Sequence, residues 1–216
     1  MAQAAAEATR FIDLDAFRAA PLGTDPFSHL VVPGFLSGQG LEDVARDFPA
    51  IDKPGSFPLS ELTYGPVFED LVAELRGDAL RDAMAEKFDI DLAGRPTMIT
   101  IRGCARPTDG KIHTDTKSKL ITVLIYMNSK WEASGGRLRL LRSKDNLEDY
   151  VAEVPPIEGT LLAFKVAENS WHGHEPASGP RRSIQLNWVT DESVVRREQT
   201  RHRFSARLKR FFAPAY

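Results

Sequence analysis

The sequence predicts a mainly β domain, a sandwich or barrel, with helices flanking it. Beyond Gly94 the chain breaks into short apolar runs rich in β-branched residues, separated by turn-forming segments. Before Gly94 the apolar residues recur at helical spacing. After Asp191 the composition turns basic, and apolar residues again fall at helical spacing.

Residues 1–10 read as a frayed end or a short helix. Phe27 to Leu36 reads as a strand broken at Pro33-Gly34. Ser37 offers an N-cap for a helix reaching about Asp47, with Leu41, Val44 and Phe48 at its apolar positions. Residues 49–65 carry Pro54-Gly55 and Pro58 and read as an irregular loop. Phe68, Leu71 and Leu75, then Leu80, Met84 and Phe88, predict two consecutive helices broken at Gly77. Strands are expected at Thr97–Arg102, Leu120–Tyr126, Arg137–Leu141, Gly159–Phe164 and Arg182–Val189, with a polar excursion at Asp145–Tyr150. The Arg-rich tail, with Phe204, Leu208 and Phe211 in register, predicts an amphipathic helix docked on the barrel. A homodimer contact or an anionic partner are the alternatives for its basic face.

The 216 residues fit one domain: helical support over about 1–95, a β core over about 96–190 and the C-terminal helix over about 191–212. The net charge of −2, from 28 basic and 30 acidic residues, argues against a nucleic-acid or anionic-membrane partner. No apolar run approaches the ~20 residues that span a bilayer. A single cysteine, Cys104, excludes an intrachain disulfide and suits a reducing compartment. The first residues lack a basic start and an apolar core, so a cytoplasmic protein is expected.

The chemistry centres on Lys111-Ile-His-Thr-Asp115. On an extended strand His113 and Asp115 would point to one face. A third ligand is expected from Trp171-His172-Gly173-His174, where either histidine could serve. Two imidazoles and a carboxylate on one side of a metal leave positions open, the arrangement of non-haem Fe(II) oxygenases. A lone His-x-Asp is common by chance. It gains weight here from the buried β run, the Gly-rich hairpin and the late Trp-His that follow it.

The order His113-Thr-Asp115, LITVLIYMN, GG-RL-LL, P-EGTLLAF, SWHGHEP and GPRRSIQLNW resembles the prolyl-4-hydroxylase-like branch of the 2-oxoglutarate and Fe(II)-dependent dioxygenases, over roughly residues 97–190. The resemblance implies a double-stranded β-helix, or jelly roll, with the site in its open end. It implies Fe(II), 2-oxoglutarate and O₂, with ascorbate as a supporting reductant. His113 and Asp115 match the family's first two ligands. The family pattern sets a proline four residues, and the oxoglutarate-binding arginine nine residues, after the distal histidine. Pro176 and Arg181 meet this spacing from His172 and not from His174. His172 is therefore the implied ligand, and His174 a neighbouring or substrate-facing group. Arg181 would grip the far carboxylate of 2-oxoglutarate through its planar fork, with Tyr126 where the family often has a second donor. Asp115 stands where related halogenases have a small residue, which favours hydroxylation.

Strand parity puts Arg181, Ser183, Gln185 and Asn187 on one face and Ile184, Leu186 and Trp188 on the other. Arg102, Arg106, Lys111, Lys117 and Lys119 surround the ligand pair in sequence and could form an electropositive mouth. Arg102, His174 and Asn187 are the expected substrate contacts, with walls from the 49–65 loop, the 104–111 loop and Trp131-Glu132. The expected activity is hydroxylation of a small molecule or a peptidyl substrate, with release of succinate and CO₂. A jelly-roll binding module acting through the basic tail, and a cupin-like enzyme using another metal, are the competing readings. The intact ligand set argues against the first, and the position of Arg181 against the second.

Overall fold

The β-branched runs pair into two antiparallel sheets in a computed structural model of the chain, which describes residues 9–198 and residue 200. The larger sheet has six strands: β1 (His29–Val32), β2 (Phe57–Pro58), β3 (Thr97–Ala105), β4 (Lys119–Tyr126), β7 (Leu161–Lys165) and β9 (Gly179–Val189), in the order β1-β7-β4-β9-β3-β2. The smaller sheet is β6 (Tyr150–Val154), β5 (Leu138–Leu141) and β8 (His172–Gly173), in that order. Helices α1 (Leu14–Ala19), α2 (Gly38–Asp47), α3 (Pro66–Leu75) and α4 (Asp78–Phe88) lie in the first half of the chain.

The alternation of each strand decides what its two faces pack against. Ile121, Val123 and Ile125 of β4 and Ile184, Leu186 and Trp188 of β9 join Phe68, Leu71, Leu75, Leu80, Met84 and Phe88 of the helices in one buried cluster. The opposite face of β4 and β7 meets the smaller sheet. There Tyr126, Leu162 and Phe164 pack on Leu138, Leu140 and Val154. One face of the large sheet is thus closed by helices, and the other forms a narrower interior shared with the small sheet.

The predicted helices start where the chain chemistry places them. Ser37 is extended ahead of α2, though its hydroxyl makes no capping bond. Pro66 opens α3, where its missing N–H costs nothing. Gly77 separates α3 from α4. Helix α1 was not anticipated: it buries only Leu14 and Phe17, too short a pattern to read, and is held by Asp13 accepting from the Ala16 N–H at 2.8 Å. Tyr150 begins β6 where a polar excursion was expected.

His113 and Asp115 are not on a strand. His113 makes one isolated bridge, to His172, and the residues around it are loop. Turn-forming Pro107 and Gly110 precede it, so the chain pairs for one residue only. Residues 192–198 are helical; the remainder of the expected C-terminal helix, from 201 on, and residues 1–8 lie outside the described residues. Among the described residues no helix is long and apolar enough to cross a membrane.

Candidate active site

The single bridge between His113 and His172 organises the site. Each residue's N–H donates to the other's carbonyl at 3.0 Å. A reciprocal pair of this kind sets two side chains next to each other on one face, and the imidazole centroids are 4.3 Å apart. One residue on, the His174 N–H donates to the Gly110 carbonyl at 2.9 Å. Gly110 has φ +93°, and a Cβ there would lie 2.3 Å from the His174 carbonyl oxygen. Only glycine lets the ligand-bearing loop lie this close to β8. Asp115 comes round from the same loop, and ligand atoms of His113, Asp115 and His172 lie within 4.8 Å of one another. No other group of three His, Cys, Asp or Glu side chains among the described residues converges in this way.

Both imidazoles are already oriented. Nδ1 of His113 lies 2.8 Å from the Lys111 carbonyl, and Nδ1 of His172 lies 3.0 Å from the Ser170 carbonyl. A carbonyl can only accept, so each Nδ1 carries the proton and each Nε2 is left as a lone-pair donor. Burial, followed by the neighbouring His113, lowers the His172 pKa to about 4, keeping that ring neutral. Burial raises the Asp115 pKa, but the Lys119 ammonium, His172 and the Thr122 hydroxyl outweigh it and hold the carboxyl below its ordinary value. Lys119 Nζ donates to Asp115 Oδ1 at 2.7 Å, and Thr122 Oγ1 donates to Oδ2 at 2.5 Å. Behind Thr122 the chain continues: Asn187 Nδ2 donates to Thr122 Oγ1 at 2.8 Å, and Gln185 Nε2 to Asn187 Oδ1 at 3.2 Å.

Two cavities of about 300 Å³ each meet at these ligands. The first is bordered by Arg181, Ser183, His174, Leu124, Leu138 and Gly110, the second by Ser56, Thr100, Lys119 and Asn187. Arg102, His113, Asp115 and Gln185 border both. Arg181 is 6% exposed. Its Nε donates to the Gly136 carbonyl at 2.9 Å, while its terminal nitrogens make no hydrogen bond to the described residues. The guanidinium stands 5.5 Å from the ring centroid of Tyr126. Tyr126 is fully buried, and its hydroxyl has no hydrogen-bond partner among the described residues. Burial pushes the phenol up, against the pull of Arg181. A buried hydroxyl and the ends of a buried guanidinium, both unsatisfied and side by side, fit the two oxygens of a carboxylate.

Residues 104–190 match the 2OG-Fe(II) oxygenase superfamily. Over these residues, less than half of the chain, it is similar to that superfamily. No curated protein sequence matches the chain. Among solved structures it is similar to a Pseudomonas putida prolyl-4-hydroxylase (TM-score 0.54, 18% identity, covering 83% of this chain and 94% of that one). It is also similar to a Trichoplax adhaerens prolyl hydroxylase solved with a hypoxia inducible factor oxygen degradation domain peptide fragment (0.52, 15%, 80% and 86%). A third is a prolyl 4-hydroxylase from Phytophthora capsici (0.53, 13%, 89% and 70%). These likenesses give the fold: the two sheets are a jelly roll of the prolyl-4-hydroxylase type. The superfamily match and the His–Asp–His set support Fe(II), 2-oxoglutarate and O₂ as cofactors, the set supplying the nitrogen and oxygen donors that Fe(II) takes.

The fold brings together most of the residues expected from the sequence. His172, not His174, meets His113 and Asp115. His174 borders the first cavity with its Nδ1 turned to the Glu175 carbonyl at 2.7 Å. Burial, then Arg181, lowers its pKa. Arg181, Ser183 and Gln185 face the site while Ile184, Leu186 and Trp188 face the helices, as parity required. Asn187 borders the second cavity, but its amide nitrogen is committed to Thr122. Of the expected walls, Ser56 from the 49–65 loop and residues 108–111 border the cavities, whereas Trp131 borders neither and donates to Gly135. Thr122, which holds the Asp115 carboxylate, was not anticipated, and Lys119, expected in an electropositive mouth, instead pairs with that carboxylate. Their signal is faint: Lys119 opens an otherwise apolar strand, and Thr122 is the one polar residue within it.

Proposed function

We propose that the oxygenase is a hydroxylase that inserts oxygen into an unactivated C–H bond of its substrate. In this reading His113, Asp115 and His172 hold Fe(II), and Arg181 with Tyr126 holds the far carboxylate of 2-oxoglutarate. The observation that carries it is the pair of unsatisfied groups, the Tyr126 hydroxyl and the ends of the Arg181 guanidinium, side by side in the interior, with Arg181 bordering the cavity that also meets His113, Asp115 and His172. A metalloenzyme without an oxo-acid cosubstrate has no use for that pair. Bound together, Fe(II), 2-oxoglutarate and O₂ supply the oxidising power, with 2-oxoglutarate leaving as succinate and CO₂.

The chain's own residues do the rest. The carbonyls of Lys111 and Ser170 fix the imidazoles so that both Nε2 lone pairs converge. Lys119 and Thr122 hold Asp115 as an anion in one rotamer. Leu124 and Leu138 restrict water on the cosubstrate side. The test is anaerobic. Metal-free protein given Fe(II) and 2-oxoglutarate should develop the weak visible charge-transfer band of the chelate, and on admission of air should release succinate. Folded protein that gives no band would sink the reading.

A further inference from the structure

The second cavity holds a guanidinium that the hydroxylase chemistry leaves unused. Arg102 lies on β3, one strand away from Arg181, and borders both cavities where they meet the metal ligands. Its Nε donates to the Ser56 hydroxyl at 2.9 Å, a neutral partner. Its one carboxylate neighbour is Asp109, 3.7 Å from its terminal nitrogen, too far for a hydrogen bond. Asp109 is occupied elsewhere: it accepts from Arg106 through Nε at 3.1 Å and through the backbone N–H at 3.2 Å. The terminal nitrogens of Arg102 donate no hydrogen bond to the described residues. The other cation of this cavity, Lys119, is committed to Asp115. Glu198 also borders the cavity. Burial lowers the Arg102 pKa, Asp109 opposes this, and Arg181 and Arg106 add repulsion.

A partly desolvated guanidinium with one shared counter-ion calls for an anion. Nε is taken, so the end-on edge remains. That edge offers two donors in a plane, which matches the two oxygens of a carboxylate. A tetrahedral dianion would ask for further donors, and the second cavity has no other uncommitted cation among the described residues. We propose that the substrate carries a carboxylate, which Arg102 receives from the second cavity while 2-oxoglutarate occupies the first. The inference rests on the hydroxylase reading above.

The test uses the full chain loaded with Fe(II) and 2-oxoglutarate. The probes are small carboxylic acids (free amino acids and hydroxy acids), the primary amide of each, and phosphomonoesters of similar size. Succinate release above the uncoupled rate is the readout, alongside an anaerobic 2-oxoglutarate titration of the chelate band. At least one acid should stimulate succinate release and its amide should not, and Arg102→Gln should lose the stimulation by about tenfold or more, the worth of a charge-assisted bond. The 2-oxoglutarate titration of that variant should stay within about twofold of wild type, since Arg181 is untouched. Arg102→Lys keeps the charge and guards against a folding defect; it should recover part of the stimulation. The inference is overturned if amides work as well as acids, if only phosphomonoesters stimulate, or if no acid does. It is also overturned if Arg102→Gln weakens 2-oxoglutarate as Arg181→Ala does, which would give Arg102 to the cosubstrate. A wild-type protein with no chelate band removes the hydroxylase reading itself, and this inference with it.

Discussion

On the Arg181 side of the site, beside Leu124, Leu138 and the cluster around Tyr126, the terminal guanidinium nitrogens of Arg181 and the Tyr126 hydroxyl have no hydrogen-bond partner among the described residues. On the Asn187 side the polar groups are linked in a line, Gln185 to Asn187 to Thr122 to Asp115. Both sides are buried, and both descend from alternate residues of the same two strands, β4 and β9. The difference lies in what each side is finished against. A buried polar group costs free energy unless it is bonded. The Asn187 side meets that condition within the protein, so it serves as scaffold. The Arg181 side does not, so it is the side that the proposed 2-oxoglutarate would complete.

Substitutions on each side should therefore fail differently. The largest effect is expected from Asp115→Ala, where scaffold and metal meet: succinate release should vanish while the far-ultraviolet circular dichroism is kept. Wild-type-like turnover in that variant would remove Asp115 from the ligand set. Next, Arg181→Ala should raise the 2-oxoglutarate requirement by about a hundredfold, as expected for a buried charge-assisted pair. Its affinity for Fe(II) alone should be kept, and an unchanged requirement would move the anchor elsewhere. On the scaffold side, Thr122→Val deletes one bond to Asp115 and orphans Asn187. It should weaken Fe(II) binding by about tenfold or more, the usual scale for groups behind a metal ligand, with 2-oxoglutarate binding to the iron-loaded form little changed. Equal losses of both would erase the distinction between the two sides.

The smallest effect is the most discriminating. Tyr126→Phe removes a hydroxyl that has no partner among the described residues. Without 2-oxoglutarate the variant should be more stable than wild type by about 1 kcal/mol, because an unmet desolvation cost disappears. With saturating Fe(II) and 2-oxoglutarate the order should reverse, and 2-oxoglutarate should bind about tenfold more weakly. Denaturant unfolding with and without the cosubstrate checks both signs. A variant less stable in both states would mean that the hydroxyl is already bonded in the free protein.

The long apolar runs were legible because each strand's two faces meet different surroundings: Ile121, Val123 and Ile125 could only face the helices once Tyr126 faced inward. Strand β8 was not legible, since two residues carry no period, and β6 alternates weakly because much of it is only half-buried. The convergence of His113, Asp115 and His172 was readable from the His-x-Asp pair together with the resemblance that singled out His172 over His174, but the strand expected under the first two was not found. What brings them together is pairing with β8 across more than fifty residues of chain, which local pattern does not encode. The hold of Lys119 and Thr122 on Asp115 was hidden for a related reason: it is made across a turn, between loop and strand. Asn187 was readable as inward-facing, but its bond to Thr122 depends on the β4–β9 register.

Both candidate ligand histidines, His113 and His172, take their orientation from carbonyls two residues upstream, those of Lys111 and Ser170. Those carbonyls belong to the main chain and survive a change of side chain. Lys111, which borders the first cavity, can thus be exchanged for a residue of another size or charge while the hydrogen bond beneath His113 stays in place. For redesign this separates two alphabets. The backbone carries the instructions for holding a metal, and the neighbouring side chains are free to be rewritten for a new guest.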